Sequence, residues 1–329
     1  MPLTSPPAPP TLAPDDEDLA DLQPRLTNAD ATVRRLALIE LAEYEDETHV
    51  PWLVWALSDD DAAVRTEAAA RLAYWEQPAS VSALIAALSD PVDAVRAEAA
   101  HSLAEIKEAS SGLLILPALS STDSFVQTSA LRALRELRLP ESFEYALRAA
   151  DSPHASVRLE AVGVLGWLKN PKALATLITL TQSDLATEVR QAAAGALGLA
   201  TDDIALPALL AALKDQAWQV REEAATTLGK LKLPASAEAL IQALQDDYWQ
   251  VRQRATRALG RLKNAQAVNP LVTHALSNSS ANLRKEAAIA LGEIGDRAAL
   301  PALGIAGQDA DPDVRKMARL AITQITAHG

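Results

Sequence analysis

Cysteine is absent from the 329 residues. That excludes disulfide frameworks, thiolate metal sites and cysteine nucleophiles. Aromatic residues are scarce, at 4% with only two phenylalanines, which disfavours a sandwich or barrel core built on aromatic and β-branched side chains. No segment approaches the roughly 18 apolar residues of a membrane span. The opening MPLTSPPAPPTLAP lacks the basic residues and apolar run of a secretory signal. A cytoplasmic protein with no membrane partner is expected. Lys and Arg, 30 in all, are outnumbered by 43 Asp and Glu, a net charge of −13. A net acidic chain lacks the basic footprint of a general nucleic-acid binder, so nucleic acid is not an expected partner.

What is abundant is alanine and leucine, within a hydrophobic content of 49%. This composition favours many small, closely packed helices. The charge is uneven. Residues 1–100 hold 19 acidic and 6 basic side chains, residues 101–329 hold 24 of each, and residues 251–300 hold 8 basic against 3 acidic.

One phrase recurs along the chain: Val-Arg, two variable residues, small residues, then Leu. It begins at Val33, Val64, Val95, Val126, Val157, Val189, Val220, Val251, Leu283 and Val314, with Gln127 replacing Arg once. The spacing is 31 residues in seven of nine steps and 32 in the other two. A fixed period of this length signals a repeat architecture. In residues 202–232, Leu206, Leu209, Leu210 and Leu213 recur at helical spacing. Asp215-Gln216-Ala217 interrupts them, and Val220, Ala224, Leu228 and Leu231 mark a second apolar stripe. Each unit therefore reads as two helices, with Pro140, Pro171 and Pro234 starting first helices. Neither helix can bury its apolar face alone, and stacked neighbours bury it together. The expected fold is an all-α solenoid (an α–α superhelix) of about ten two-helix repeats, some twenty helices and no strand, over residues 15–329. Residues 1–14, with six prolines, are expected to form a disordered tail.

The phrases VRQAAAGALG (189–198), VREEAATTLG (220–229), VRQRATRALG (251–260) and LRKEAAIALG (283–292) resemble HEAT repeats of the phycobilisome-lyase type. The resemblance spans about residues 15–327. It implies that the arginines pair with turn aspartates in a ladder: Arg34, Arg65, Arg96 and Arg315 with Asp30, Asp61, Asp93 and Asp311. The ladder should weaken at Gln127. Arrays of this type include bilin lyases, a di-iron hydroxylase, DNA glycosylase folds, assembly chaperones and scaffolds, so the exposed residues must decide function.

The second helix of each unit is expected to line the concave side. Counting the Val as 0, positions 3, 6 and 10 share one helical stripe opposite the core positions 0, 4, 8 and 11. The stripe is acidic in repeats two to four, with Glu67, Glu98, Glu105 and Glu136 beside Tyr74, His101 and Arg132. It is small and apolar in repeats five and six, where Trp167 stands near Gly163 and Gly195 as a candidate pocket anchor. In repeat eight it carries Arg254, Arg257 and Arg261. A groove of this kind suits an extended protein segment with complementary charges. Trp218 and Trp249, each two residues before a Val, are expected to pack over the neighbouring repeat.

Catalytic chemistry finds no constellation. Glu98, His101 and Glu105 share a face, but the five histidines do not converge by repeat position and no His-Glu pairs recur, so no metal or other cofactor is expected. No phosphate loop or nucleophile elbow is present. The leading reading is a protein-binding scaffold or assembly chaperone. The alternative is a bilin lyase-like enzyme or subunit holding a tetrapyrrole in the apolar middle of the groove.

Overall fold

A computed structural model describes residues 8–11 and 16–327. The tail expected over residues 1–14 lies outside the described residues except for 8–11, which form no regular element. Among the described residues there are twenty α-helices and no strand. The helices fall into two compact units divided between Leu168 and Lys169. The first runs from the helix Glu17–Leu26 to the helix Ala155–Leu168, and the second from Leu174–Ser183 to Pro312–Ala327. Each is a stack of five two-helix repeats, an all-α solenoid. No described helix is long and apolar enough to cross a membrane.

The recurring phrase maps onto the core. Position 4 is alanine in all ten repeats, from Ala37 to Ala318, and each of these is fully buried. Position 8 is leucine in nine repeats, Leu41 to Leu291, and each is at most 1% exposed. Leucine fills the space between the paired helices, while alanine lets their backbones approach. In the second unit the approach is closer still at position 9. A Cβ on Gly229 would stand 2.8 Å from the Cα of Ala258, and one on Gly260 would stand 2.8 Å from the Cα of Ala290. The Leu-Gly ending of the phrase is thus a backbone contact between successive second helices. The first unit has Ala42, Ala73 and Ala104 at the same position.

Helix starts follow the sequence. Asp30, Asp61, Asp123 and Asp296 accept hydrogen bonds from backbone amides two or three residues on, satisfying donors left free by the first turn. Ends are less regular. Lys232 and Lys263 close their helices in the left-handed conformation that Gly295 adopts at the matching place. The 32-residue step from Val251 to Leu283 is absorbed in the first helix of its repeat. There Val272–Leu276 forms a π-helical turn, the form that one inserted residue gives a helix.

Candidate functional site: the second-helix stripe and the arginine ladder

In the first unit the stripe leaves most of its charged and aromatic groups open. Tyr74 is 77% exposed. His101, Glu105 and Glu136 are exposed, Glu98 is half-buried, and none of these four has an ion pair among the described residues. Glu67 is engaged, accepting from Arg71 Nε at 2.8 Å and Nη2 at 2.5 Å one turn on. Tyr74, Trp75, Glu43, Glu45, Ala42 and Arg71 line a cleft of about 620 Å³. Arg132 reaches to the next repeat, where its Nε and Nη2 lie 3.0 and 2.8 Å from Glu160 Oε1. Trp167 is 41% exposed, with the Arg138 guanidinium 4.9 Å from its ring centroid.

The second unit differs. Arg257 donates two hydrogen bonds to Glu286, at 2.7 and 2.8 Å, and Arg254 donates to Glu222 at 3.0 Å. Hydrogen bonding to Glu286 raises the Arg257 pKa against the lowering effect of burial. Arg261 is exposed and has no ion pair among the described residues. The three arginines do converge, around a cleft of only about 60 Å³ that also holds Thr226 and Gly229.

Two expectations about the stripe are corrected. Position 3 does not face solvent throughout: Ser129, Glu160 and Glu286 are buried. The two glutamates serve as internal counter-ions for the arginines at position 6 of the preceding repeat. Nor is the glycine zone open. A Cβ on Gly163 would meet Arg135 Cδ at 3.0 Å, one on Gly195 would meet Glu223 Oε1 at 2.8 Å, and one on Gly198 would meet Lys230 Nζ at 2.9 Å. The glycines make room for long side chains of an adjacent repeat, the preceding one at Gly163 and the following one at Gly195 and Gly198. Burial, with Glu222 beside it, pushes the Glu223 carboxyl up. Among the described residues no group of three or more His, Asp or Glu is arranged to hold a metal ion.

The ladder exists, but its rungs connect successive repeats. Arg34 pairs with Asp59, Arg65 with Asp90, Arg190 with Asp215, Arg221 with Asp246 and Arg284 with Asp309. Each pair has two hydrogen bonds between 2.6 and 3.0 Å. The remaining guanidinium nitrogen binds carbonyls of the arginine's own turn, as Arg34 Nη1 does at Asn28 and Ala29. Of the four expected pairs only Arg96–Asp93 forms, at 2.6 Å. Asp30, Asp61 and Asp311 are occupied as helix caps. The aspartate that closes a rung stands 25 residues after the arginine. Where that residue is serine, as at Ser121, Ser152 and Ser277, Arg96, Gln127 and Arg252 make no such pair. The lapse thus begins at Arg96, one repeat before Gln127. The hydrogen bonds of Arg284 hold the Asp309 carboxyl at about 2. At Asp215 and Asp246 burial acts upward, but the arginine and backbone hydrogen bonds prevail and lower both.

Trp218 packs over the next repeat as expected, stacking on Tyr248 with centroids 5.5 Å apart and planes 15° apart. Trp249 is instead 55% exposed. Sequence reasoning missed Tyr248, Glu222 and Asp59. The available signal was the repeat itself: Asp59, Asp90, Asp215, Asp246 and Asp309 share one register position.

A stack of two-helix repeats with alanine and leucine at fixed core positions and an inter-repeat arginine ladder defines a helical-repeat protein. The chain belongs to the HEAT-repeat family: the family model matches residues 19–104, 57–117, 112–198, 180–248 and 237–323. None of the curated proteins matches the sequence. Among solved structures, an engineered protein aligns at 23% identity and TM-score 0.54, covering 94% of this chain and 99% of its own. The YibA protein of E. coli aligns at 21% and 0.52, covering 88% and 95%. Importin beta aligns at 14% and 0.62, covering 94% of this chain and 51% of its own. A chain from the complex of Kap95p with RanGDP aligns at 16% and 0.62, covering 94% and 50%. At these identities the likeness is one of fold.

Proposed function

We propose that the protein is a binding scaffold or assembly chaperone that holds a partner protein along its second-helix, concave face, and that the first unit takes a basic segment of that partner. The observation that carries this reading is the set of unpaired side chains on the first unit's stripe. Tyr74 is 77% exposed, and Glu98, Glu105 and Glu136 stand without ion pairs among the described residues. A large exposed aromatic beside unpaired carboxylates suits anchoring and charge-guided docking of a cationic segment. Arg254 and Arg257 are already neutralised by Glu222 and Glu286, so an acidic segment has chiefly Arg261 to meet. Kap95p, similar in fold, engages the protein RanGDP, which agrees with a protein partner. The tetrapyrrole reading has less support, because Arg135, Glu223 and Lys230 take the space over the glycines. A cytoplasmic setting belongs to the same proposal.

A photo-crosslinking residue in place of Tyr74 tests the reading against one in place of Glu144, exposed on the first helix Phe143–Ala149 of the same unit. In extract from the source organism, position 74 should give a discrete protein adduct that Glu105→Lys/Glu136→Lys weakens, and position 144 should give none. Equal adducts at both positions, or none at 74, would sink the proposal.

A further inference from the structure

The turn edge of the first unit already receives a proline-bearing segment. Ala8 and Pro9 share a cleft with Trp55 and with the rung formed by Arg34 and Asp59. Trp55 is set in place by an edge-on contact with the buried Trp52, at 5.8 Å and 76°.

The second unit presents aromatic rings at the same kind of edge. Trp218 stacks on Tyr248, and the Arg221 guanidinium lies 5.6 Å from the Tyr248 centroid while its nitrogens grip Asp246. The Tyr248 amide donates to the same Asp246 at 2.9 Å. Tyr248 and Trp218 are therefore fixed to a rung, yet Tyr248 is 45% exposed, and Trp249, the next residue, is 55% exposed. Rigid, exposed aromatics are the surface that polyproline II ligands dock on, because such ligands lose little entropy on binding.

We propose that the edge formed by Trp218, Tyr248 and Trp249 binds a proline-rich segment in the polyproline II conformation, supplied by the N-terminal residues of a second copy of this chain. The spacing matches. Trp218 and Trp249 stand at equivalent positions of successive repeats, and packed neighbouring helices lie about 8–10 Å apart. One polyproline II turn of three residues spans about 9.3 Å. Pro6 with Pro9, and Pro7 with Pro10, are three residues apart in sequence, so in the proposed bound conformation each pair would set two rings one repeat interval apart. Residues 1–14 carry no charged side chain, so seating them on the rings strips water from no side-chain ion. This edge is separate from the second-helix stripe, and the inference stands apart from the proposed function.

The test titrates the intact protein calorimetrically with the peptide MPLTSPPAPPTLAP and follows the protein alone by sedimentation equilibrium. Saturable binding and concentration-dependent self-association are expected. Both should weaken about tenfold or more with Trp249→Ala, with Tyr248→Ala, and when alanine replaces Pro6, Pro7, Pro9 and Pro10. Thermal unfolding checks the variants. Trp249→Ala, at the more exposed ring, keeps the test sharp even if Tyr248→Ala unfolds. Tyr74→Ala should change neither readout, which separates this edge from the stripe. The proposal is overturned if Trp249→Ala binds the peptide as the native protein does, if the alanine peptide binds equally, or if the protein stays monomeric at every concentration.

Discussion

The two units share one repeat and use it differently. The first, up to Leu168, holds 27 acidic and 12 basic side chains, and the second holds 16 and 18. The first has alanine or arginine at position 9 in four repeats and glycine, Gly166, only in its last, whereas the second has Gly198, Gly229, Gly260 and Gly292 in four of five. In the second unit two of the three inner arginines, Arg254 and Arg257, are tied to Glu222 and Glu286. In the first, Tyr74, Glu105 and Glu136 are left to solvent. The regular unit uses more of its stripe charges to hold its own repeats together, through Arg254 and Arg257. The divergent one leaves more carboxylates exposed, Glu105 and Glu136 among them. Adherence to the repeat pattern thus marks architecture, and departure from it marks the surface to test for binding.

The largest effect expected from a single change is at the shared core. Val220 is fully buried, and Val220→Asp places a carboxylate where nothing pairs with it, at a cost of several kcal/mol, on the order of 3–5. Hydrogen exchange should show protection lost around the helix Trp218–Leu231 and its neighbours in the second unit. Unchanged exchange there would mean that the helix register is wrong.

The next effect sharpens the contrast at position 9. Gly229→Val drives a branched side chain against the Ala258 backbone and should cost up to about 3 kcal/mol by overpacking. Ala42→Gly, at the matching place in the first unit, should cost only about 1 kcal/mol through helix propensity. Denaturant midpoints compare the two, and equal losses would erase this distinction between the units.

A pH experiment reads the ladder. Asp309 is held at about 2 in the folded protein, from 3.8 for the free group, so the unfolded state binds its proton first as acid is added. The contribution of the rung is complete above about pH 4 and is lost as pH falls towards 2. Melting temperature should decline across that window, and Asp309→Asn should flatten the decline. A variant with the same slope as the native protein would show that the Arg284 rung contributes nothing to acid stability. The smallest effect lies at a helix end. Lys263 sits at φ 52°, and Lys263→Gly should stabilise the second unit by up to about 1 kcal/mol, seen as a small rise in melting temperature.

Much of this fold was legible in the sequence because a helix repeats its own geometry. Val220, Ala224 and Leu228 share a face whatever surrounds them, and that face is buried. The ladder was legible only in kind. Arg34 could be drawn towards Asp30 or Asp59, and nothing local to the phrase says that Asp30 is already spent on the amide of Thr32. Competition for hydrogen bonds decides the rung. The stripe was legible as a face but not as a surface. Glu286 and Met317 stand at the same position, yet only Glu286 is buried, because Arg257 reaches across to it. Which polar groups stay free depends on the length of side chains in the adjacent repeat, and no single-helix pattern contains that.

The π-helical turn at Val272–Leu276 bears on how such a chain can change over time. An extra residue there was taken up inside a first helix, and the next second helix resumes with Leu283, Ala287 and Leu291 all buried. First helices therefore act as the slack in the reading frame of the array. Insertions should survive in them and be purged from second helices, so a library of single-residue insertions sorted for folded protein should show tolerance with a 31-residue beat.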